Sequence, residues 1–366
     1  MAFGLFKKKK KEAKKDDRYH MMTIREVNKV ASETVNVVFE KPGSSFQYKP
    51  GQFITIIKEI DGKKVRRAYS LCTTPFLDEY PTVTVKRVPG GLMSNYINDH
   101  FKAGDQVEIM EPMGRFTVDY DANASRKAIF FGGGSGITPL YSILRSMLAK
   151  EPNSQVALVY GNRTEEFVVF HDEYQQLKVE YGDRFQIIHM LEKDPNGFAQ
   201  HVGRPTPEVI SQVTKDLFPA DEAEIFICGP EPMMQVVKEG VKLAGVEEER
   251  IHMESFEAGK TSPSDINTTE EGAFTGESDI TIILNGEEHQ VTVPAKEPIL
   301  DAGLDAGLDM PYSCQSGLCT ACRAKCLEGT LDQEDAAGLT DAEVAEGYVL
   351  LCVGKPKSAK IKLEVG

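Results

Sequence analysis

The sequence predicts a multidomain chain: an antiparallel β-barrel, then an α/β domain on a parallel sheet, then a small α+β domain. Three observations predict it. The 366 residues, 41% of them apolar, suffice for two or three separate cores. After Arg126 the pattern changes from short alternating apolar runs to strand-like and helix-like segments in turn. A small, polar, aperiodic stretch over 258–277 reads as a linker and isolates the C-terminal residues.

In the first module, Val35–Phe39, Phe53–Ile57, Val83–Val85 and Val107–Ile109 are strand runs separated by Gly, Pro and Asp turns. In the second, Ala128–Phe131 is a buried-strand run that leads through a glycine loop into Pro139–Leu148, which has helical spacing. Strands at Val156–Tyr160, Phe185–Ile188 and Glu224–Cys228 then alternate with helical stretches, so a parallel sheet covered on both faces is expected. Past the linker, Asp279–Leu284 and Gln290–Val293 flank Asn285-Gly286 as a hairpin. Leu300, Leu304 and Leu308 mark one face of a helix. Domains are thus expected at 19–122, 123–257 and 278–366, after a basic tail over 1–18.

The formal charge of −14 argues against a nucleic-acid partner and suits a basic protein surface. Residues 1–18 hold eight basic and three acidic side chains, net +5. The apolar start precedes the lysines, the reverse of a secretory signal. No stretch approaches the roughly 20 apolar residues of a membrane span. The tail is read as a disordered, solvated leader in preference to a peripheral membrane contact. With no disulfide framework, a cytoplasmic location is expected.

Cys314, Cys319 and Cys322, with Cys352 thirty residues on, follow C-x4-C-x2-C…C, the plant-type spacing for four thiolates around a 2Fe–2S cluster. Zinc sites usually come as two C-x2-C knuckles, and here there is one. Cys326 competes for the fourth place. Cys352 is preferred because the apolar, strand-like run Val349–Val353 can hold a ligand rigidly, and Cys326 is read as structural.

Other motifs bear on binding. Arg67 in Arg67-Ala68-Tyr69-Ser70 can fork two hydrogen bonds onto a phosphate, and Tyr69 points the same way on a strand, able to lie flat on a planar ring. Gly90-Gly91-Leu92-Met93-Ser94 leads into a helix whose N–H groups and Ser94 hydroxyl would face a pyrophosphate. Gly132-Gly133-Gly134-Ser135-Gly136-Ile137-Thr138-Pro139 joins a strand to a helix. It is not the dinucleotide fingerprint, since proline stands where Gly-x-Gly-x-x-Gly would need its last glycine. Cys228-Gly229-Pro230-Glu231-Pro232-Met233 ends a later strand, where open α/β sheets bind ligands. Cys228 is either a buried core thiol or a small uncharged border for a nicotinamide ring. The seven histidines have no metal spacing, and no catalytic triad or carboxylate pair emerges. Cofactor redox chemistry leaves the protein mainly to bind, orient and tune.

These segments, with Pro50–Phe53, Gly114-Arg115-Phe116 and Glu254-Ser255-Phe256, resemble ferredoxin–NADP reductase-type flavoproteins. With the C-terminal plant-type ferredoxin motif, the order looks like the reductase components of bacterial oxygenases. Val85-Lys86-Arg87 through Tyr96 is similar to the reductases of phenylacetyl-CoA epoxidases. The resemblance implies a β-grasp-like ferredoxin domain and FAD held by Arg67, Ala68, Tyr69, Ser70, Val85, Lys86, Gly91, Leu92, Met93 and Ser94. Ser70 would lie near the reactive ring nitrogen. It implies that Gly133, Gly134, Gly229 and Met233 border the nicotinamide nucleotide, with Thr138 and Cys228 flanking its reactive ring. Phe256 would cover the flavin until the nicotinamide displaces it. Ser70 and Cys228 are the candidate catalytic residues. Arg163 would meet a 2′-phosphate, whereas Glu165 would hydrogen-bond a free 2′-hydroxyl, so NADPH and NADH both stay open.

The expected function is transfer of electrons from NAD(P)H through FAD to the 2Fe–2S cluster and on to a separate oxygenase component. Residues 278–366 carry 15 acidic and seven basic side chains, which would steer a basic partner. A reductase for a fatty-acyl desaturase or another hydroxylase is the rival within enzymes. A non-catalytic iron–sulfur redox sensor is the rival from another class.

Overall fold

A computed structural model of the chain describes residues 18–256, 274 and 276–365, apart from 42, 44, 45, 334, 335 and 337. The lysine tail and most of the expected linker lie outside the described residues. No described helix is long and apolar enough to cross a membrane.

The first module holds β1 (Tyr19–Ala31), β2 (Thr34–Phe39), β3 (Phe53–Ile60), β4 (Lys63–Ser70), β5 (Thr82–Lys86), α1 (Leu92–His100) and β6 (Gln106–Met113). Its six strands pair antiparallel in the order β4-β3-β6-β1-β2-β5. A bridge from Leu71, just past β4, to Val83 of β5 brings the two margins of the sheet together. The enclosed face carries Ile24, Phe39, Ile54, Ile56 and Ile109, and α1 adds Met93 and Ile97.

The second module runs β7 (Lys127–Gly133), α2 (Ile137–Lys150), β8 (Gln155–Asn162), α3 (His171–Tyr181), β9 (Phe185–Leu191), β10 (His201–Val202), α4 (Pro207–Leu217), β11 (Ala223–Cys228), α5 (Glu231–Ala244) and β12 (Ile251–Glu254). All its pairings are parallel, in the order β10-β9-β8-β7-β11-β12. Successive side chains of β7 serve opposite faces, as strand geometry requires. Ala128 and Phe130 join Leu140 of α2 and Tyr174 of α3, whereas Ile129 and Phe131 join Ile210 of α4 and Val237 of α5. The connections leave β7 toward β8 on one side and β11 on the other. A crevice at such a switch point is where open α/β sheets take their ligands.

The third module contains β13 (Glu277–Leu284), β14 (Glu287–Pro294), α6 (Ile299–Asp305), β15 (Arg323–Glu328), β16 (Leu331–Asp332), α7 (Asp341–Ala345), β17 (Tyr348–Leu350), β18 (Lys355–Pro356) and β19 (Lys360–Val365). Its main sheet is ordered β14-β13-β19-β15-β17, and only β13 and β19 run parallel. Asn285 and Gly286 both take positive φ, 53° and 82°, the two-residue turn that suits the twist of a hairpin.

Three details differ from the sequence reading. β13 starts at Glu277, inside the expected linker, because Glu277 already pairs with Pro294. Leu308 lies beyond α6: Gly307 adopts φ 82° and Leu308 N–H bonds Gly303 O at 3.0 Å, which closes the helix early. Cys352 sits past β17 in a turn, where Gly354 N–H bonds Leu350 O at 2.8 Å.

The third module packs on the barrel. Asp309 bonds Arg66 (2.6 Å) and Lys64 (3.0 Å), and Thr55 and Ser313 join through their hydroxyls. Arg115 donates to Leu339 O at 3.2 Å. The barrel meets the α/β module through Arg145, whose guanidinium forks onto Asp78 at 2.9–3.1 Å, and through Gly51 N–H to Ser142 Oγ at 2.9 Å.

Candidate redox site

Four thiols converge in the third module. Cys314 interacts with both Cys319 and Cys352, and Cys352 in turn with Cys322. Hydrogen bonds from Cys319 and Cys352 hold the Cys314 thiol well below its usual range, while Cys319 and Cys352 are pushed up by that same sharing and by burial. Ser316 N–H also points at Cys314 Sγ, at 3.5 Å. Among the described residues no three His, Cys, Asp or Glu side chains are arranged around a single ion. Four thiols linked in a chain fit a two-iron cluster, which needs four cysteines spread over two metals. Cys326 stands apart, its thiol directed at Glu328 O and Gly329 O.

The loop that carries Cys314, Cys319 and Cys322 faces the barrel. Cys319 and Ala321 are buried with Phe53, Ile57 and Met110, and Ala68 and Cys314 pack against the same cluster. Ala68 belongs to the Arg67–Ser70 segment on β4, so that segment and the cysteine loop are neighbours. Arg67 is exposed, its Nη1 donating to Arg66 O at 2.7 Å. Tyr69 is half-buried, and burial raises its hydroxyl pKa. Ser70 is buried.

Gly91 caps α1, and no side chain caps its first turn. Ser94 Oγ accepts from Val88 N–H at 3.1 Å and keeps its own proton to donate. A Cβ on Gly91 would come within 2.7 Å of that oxygen, so glycine keeps the approach open. An uncapped helix start beside a serine donor fits the phosphates of a dinucleotide. Leu92 is exposed, while Met93 and Val85 are core residues.

A cavity of about 570 Å³ opens at the switch point. Lys86, expected beside FAD, lines it instead, together with Gly133, Gly134, Arg163 and Met233. Gly133 and Gly229 approach so closely that a Cβ on Gly229 would lie 3.0 Å from the Gly133 backbone, and a Cβ on Gly133 would meet Met233 Sδ at 2.4 Å. Thr138 is buried and donates to Ser135 O at 3.0 Å. Cys228 is fully covered in the core with Ile137 and Phe226, and burial drives its thiol pKa far up. Phe256 is 45% exposed.

Sequence reasoning missed two neighbours. Arg204 and Glu192 line the cavity from the loops after β10 and β9, with no motif to announce them. Asn162 is only 8% exposed, yet neither amide atom has a hydrogen-bond partner; the nearby Tyr160 hydroxyl donates instead to Gly134 O at 2.9 Å. An unsatisfied buried amide in a cavity wall fits a polar ligand. Glu254 is likewise buried with Oε2 unpartnered, and burial first, then negative charge at Cys314, lifts its pKa to about 8.

Residues 21–118 match the oxidoreductase FAD-binding domain, 130–239 the oxidoreductase NAD-binding domain, and 282–357 the 2Fe–2S iron–sulfur cluster binding domain. The chain is 34% identical to the ferredoxin reductase component of 3-ketosteroid-9-alpha-monooxygenase from Rhodococcus rhodochrous, over 94% of this chain and 96% of that one. It is 31% identical to one of the subunits of 1,2-phenylacetyl-CoA epoxidase from Escherichia coli strain K12, over 94% and 97%. The solved structure of phthalate dioxygenase reductase, described as modular for electron transfer from pyridine nucleotides to 2Fe–2S, superposes with a TM-score of 0.59 at 26% identity, covering 95% of this chain and 98% of that one. The chain therefore belongs to the family of oxygenase reductase components that carry FAD-binding, NAD-binding and 2Fe–2S domains in one polypeptide, and it is an NAD(P)H-dependent electron-transfer oxidoreductase.

Proposed function

We propose that this chain draws electrons from NAD(P)H at the cavity of the α/β module, passes them across the barrel, and delivers them from the cysteine loop to a separate oxygenase component. Cys314, Cys319, Cys322 and Cys352 hold the 2Fe–2S cluster. Arg67, Tyr69, Ser70 and the α1 start from Gly91 to Ser94 hold FAD, with Ala68 and Val85 shaping its seat. Gly133, Gly134, Gly229 and Met233 border the nicotinamide nucleotide, Thr138 flanks its reactive ring, Cys228 backs the glycine loop as a covered core thiol, and Phe256 covers the flavin until the nicotinamide displaces it. FAD held there would supply the exchange between hydride and single-electron chemistry that no side chain offers.

One observation carries the reading: Ala68 of the flavin segment and the thiols Cys314 and Cys319 share one apolar cluster. Electrons leaving the barrel then need cross only packed side chains. The acceptor is assigned by kinship, since the relatives are components of a 3-ketosteroid monooxygenase and a phenylacetyl-CoA epoxidase. The acidic third module favours a basic docking face on that acceptor, with faster association at low salt.

Changing Cys319→Ser tests the order of transfer. Reduction of the partner should be abolished, while NAD(P)H-dependent ferricyanide reduction stays largely intact. Equal loss of both activities in a folded variant contradicts the order.

A further inference from the structure

We infer that the cavity selects NADPH over NADH, with Arg163 receiving the 2′-phosphate and Lys86 and Arg204 supplying further positive charge. The inference rests on reading this cavity as the nicotinamide-nucleotide site.

Charge in the cavity wall is lopsided. Lys86, Arg163 and Arg204 line it against one carboxylate, Glu192, and Arg204 Nε already engages that carboxylate at 2.9 Å. No other acidic side chain lines the cavity among the described residues. A site built for NADH needs a free carboxylate to accept from the ribose 2′-hydroxyl, whereas one built for NADPH needs a cation there.

Arg163 holds the deciding position. It directly follows β8, the strand next to the one that ends in the glycine loop. Its carbonyl accepts Lys193 N–H and that of Asn162 accepts Glu192 N–H, both at 3.0 Å, so the backbone here is pinned to the end of β9. Its guanidinium lies 4.0 Å from the centre of the Phe167 ring, and Lys86 Nζ lies 4.8 Å from the same ring. Two cations on one ring repel each other. Burial and the Arg163 charge together hold the Lys86 ammonium below its usual range. A dianionic phosphate between them relieves that repulsion, and an uncharged hydroxyl does not.

The competing carboxylates are accounted for. Glu165 does not line the cavity; its Oε2 accepts from Asn196 Nδ2 at 3.1 Å. Glu33 approaches Arg163 at 3.6 Å with both side chains more than half exposed, a contact worth little in water and open to displacement.

Calorimetric titration of the cofactor-loaded full chain with NADP+ and NAD+ provides the test. NADP+ should bind the wild type roughly tenfold or more tightly than NAD+, the worth of a charge-assisted hydrogen bond. Arg163→Gln should cut the ratio of the two affinities by a similar factor, and Lys86→Gln should cut it as well. Glu165→Gln should leave that ratio alone. NAD+ binding as tightly as NADP+ in the wild type overturns the selectivity, and this comparison stands even if a variant misfolds. A folded Arg163→Gln protein with an unchanged ratio overturns the assignment to Arg163. If neither nucleotide binds, the reading of the cavity itself fails, a result separate from binding with the wrong preference.

Discussion

His189 shows how burial sets the chemistry of a single side chain. Its ring packs on Phe198 with centroids 4.4 Å apart, and Nδ1 has no hydrogen-bond partner. Burial first, and the charges of His171 and Lys178 after it, lower its pKa from 6.5 to about 4. Between those values the unfolded chain binds a proton that the folded chain refuses, so stability falls as the pH drops through the window from 6.5 to about 4. Replacing His189→Gln should flatten that part of the curve of melting midpoint against pH. A variant as acid-sensitive as the wild type across this window would contradict the assignment. At this scale the grouping of Cys314, Cys319, Cys322 and Cys352 was legible because their spacing follows a fixed pattern. Arg204 and Glu192 were not, because only the sheet topology brings them to the site.

Among the elements, the glycine loop between β7 and α2 depends on close approach to the end of β11. A Cβ on Gly136 would lie 2.2 Å from Cys228 O, a backbone atom that cannot swing aside. Gly136→Ala should therefore cost about 1–3 kcal/mol, lowering the midpoint of this module by roughly 3–10 °C. Differential scanning calorimetry checks this, and a wild-type melting profile would mean that the loop does not pack as described. The strands of the α/β module were readable from their apolar runs, since strands buried on both faces leave that signature. The seat of Cys352 was not. Val349–Val353 is apolar throughout, but pairing to β15 ends at Leu350 and the chain turns away. The end of α6 was missed for a similar reason, because leucine spacing does not record that Gly307 turns left-handed.

For the whole molecule, three modules of separate core become one path because they dock. Arg66, 3% exposed with its Nε unpartnered, depends on Asp309 of the third module to balance its charge, and the Tyr312 ring lies 5.2 Å away. That latch presses the cysteine loop against the face of β3, β4 and β6 from which Ala68 projects. Nothing in the spacing of residues along the chain foretold this interface, since its partners are separated by more than 200 positions. The central claim is that nicotinamide electrons cross flavin and cluster within a single polypeptide. Anaerobic stopped-flow mixing of the purified, cofactor-loaded chain with NADPH, followed in the visible spectrum, tests it most directly. The flavin absorbance should fall first, followed by the cluster absorbance at a rate independent of protein concentration. A cluster that stays oxidised after the flavin is reduced, or one reduced at a rate proportional to protein concentration, would contradict the account.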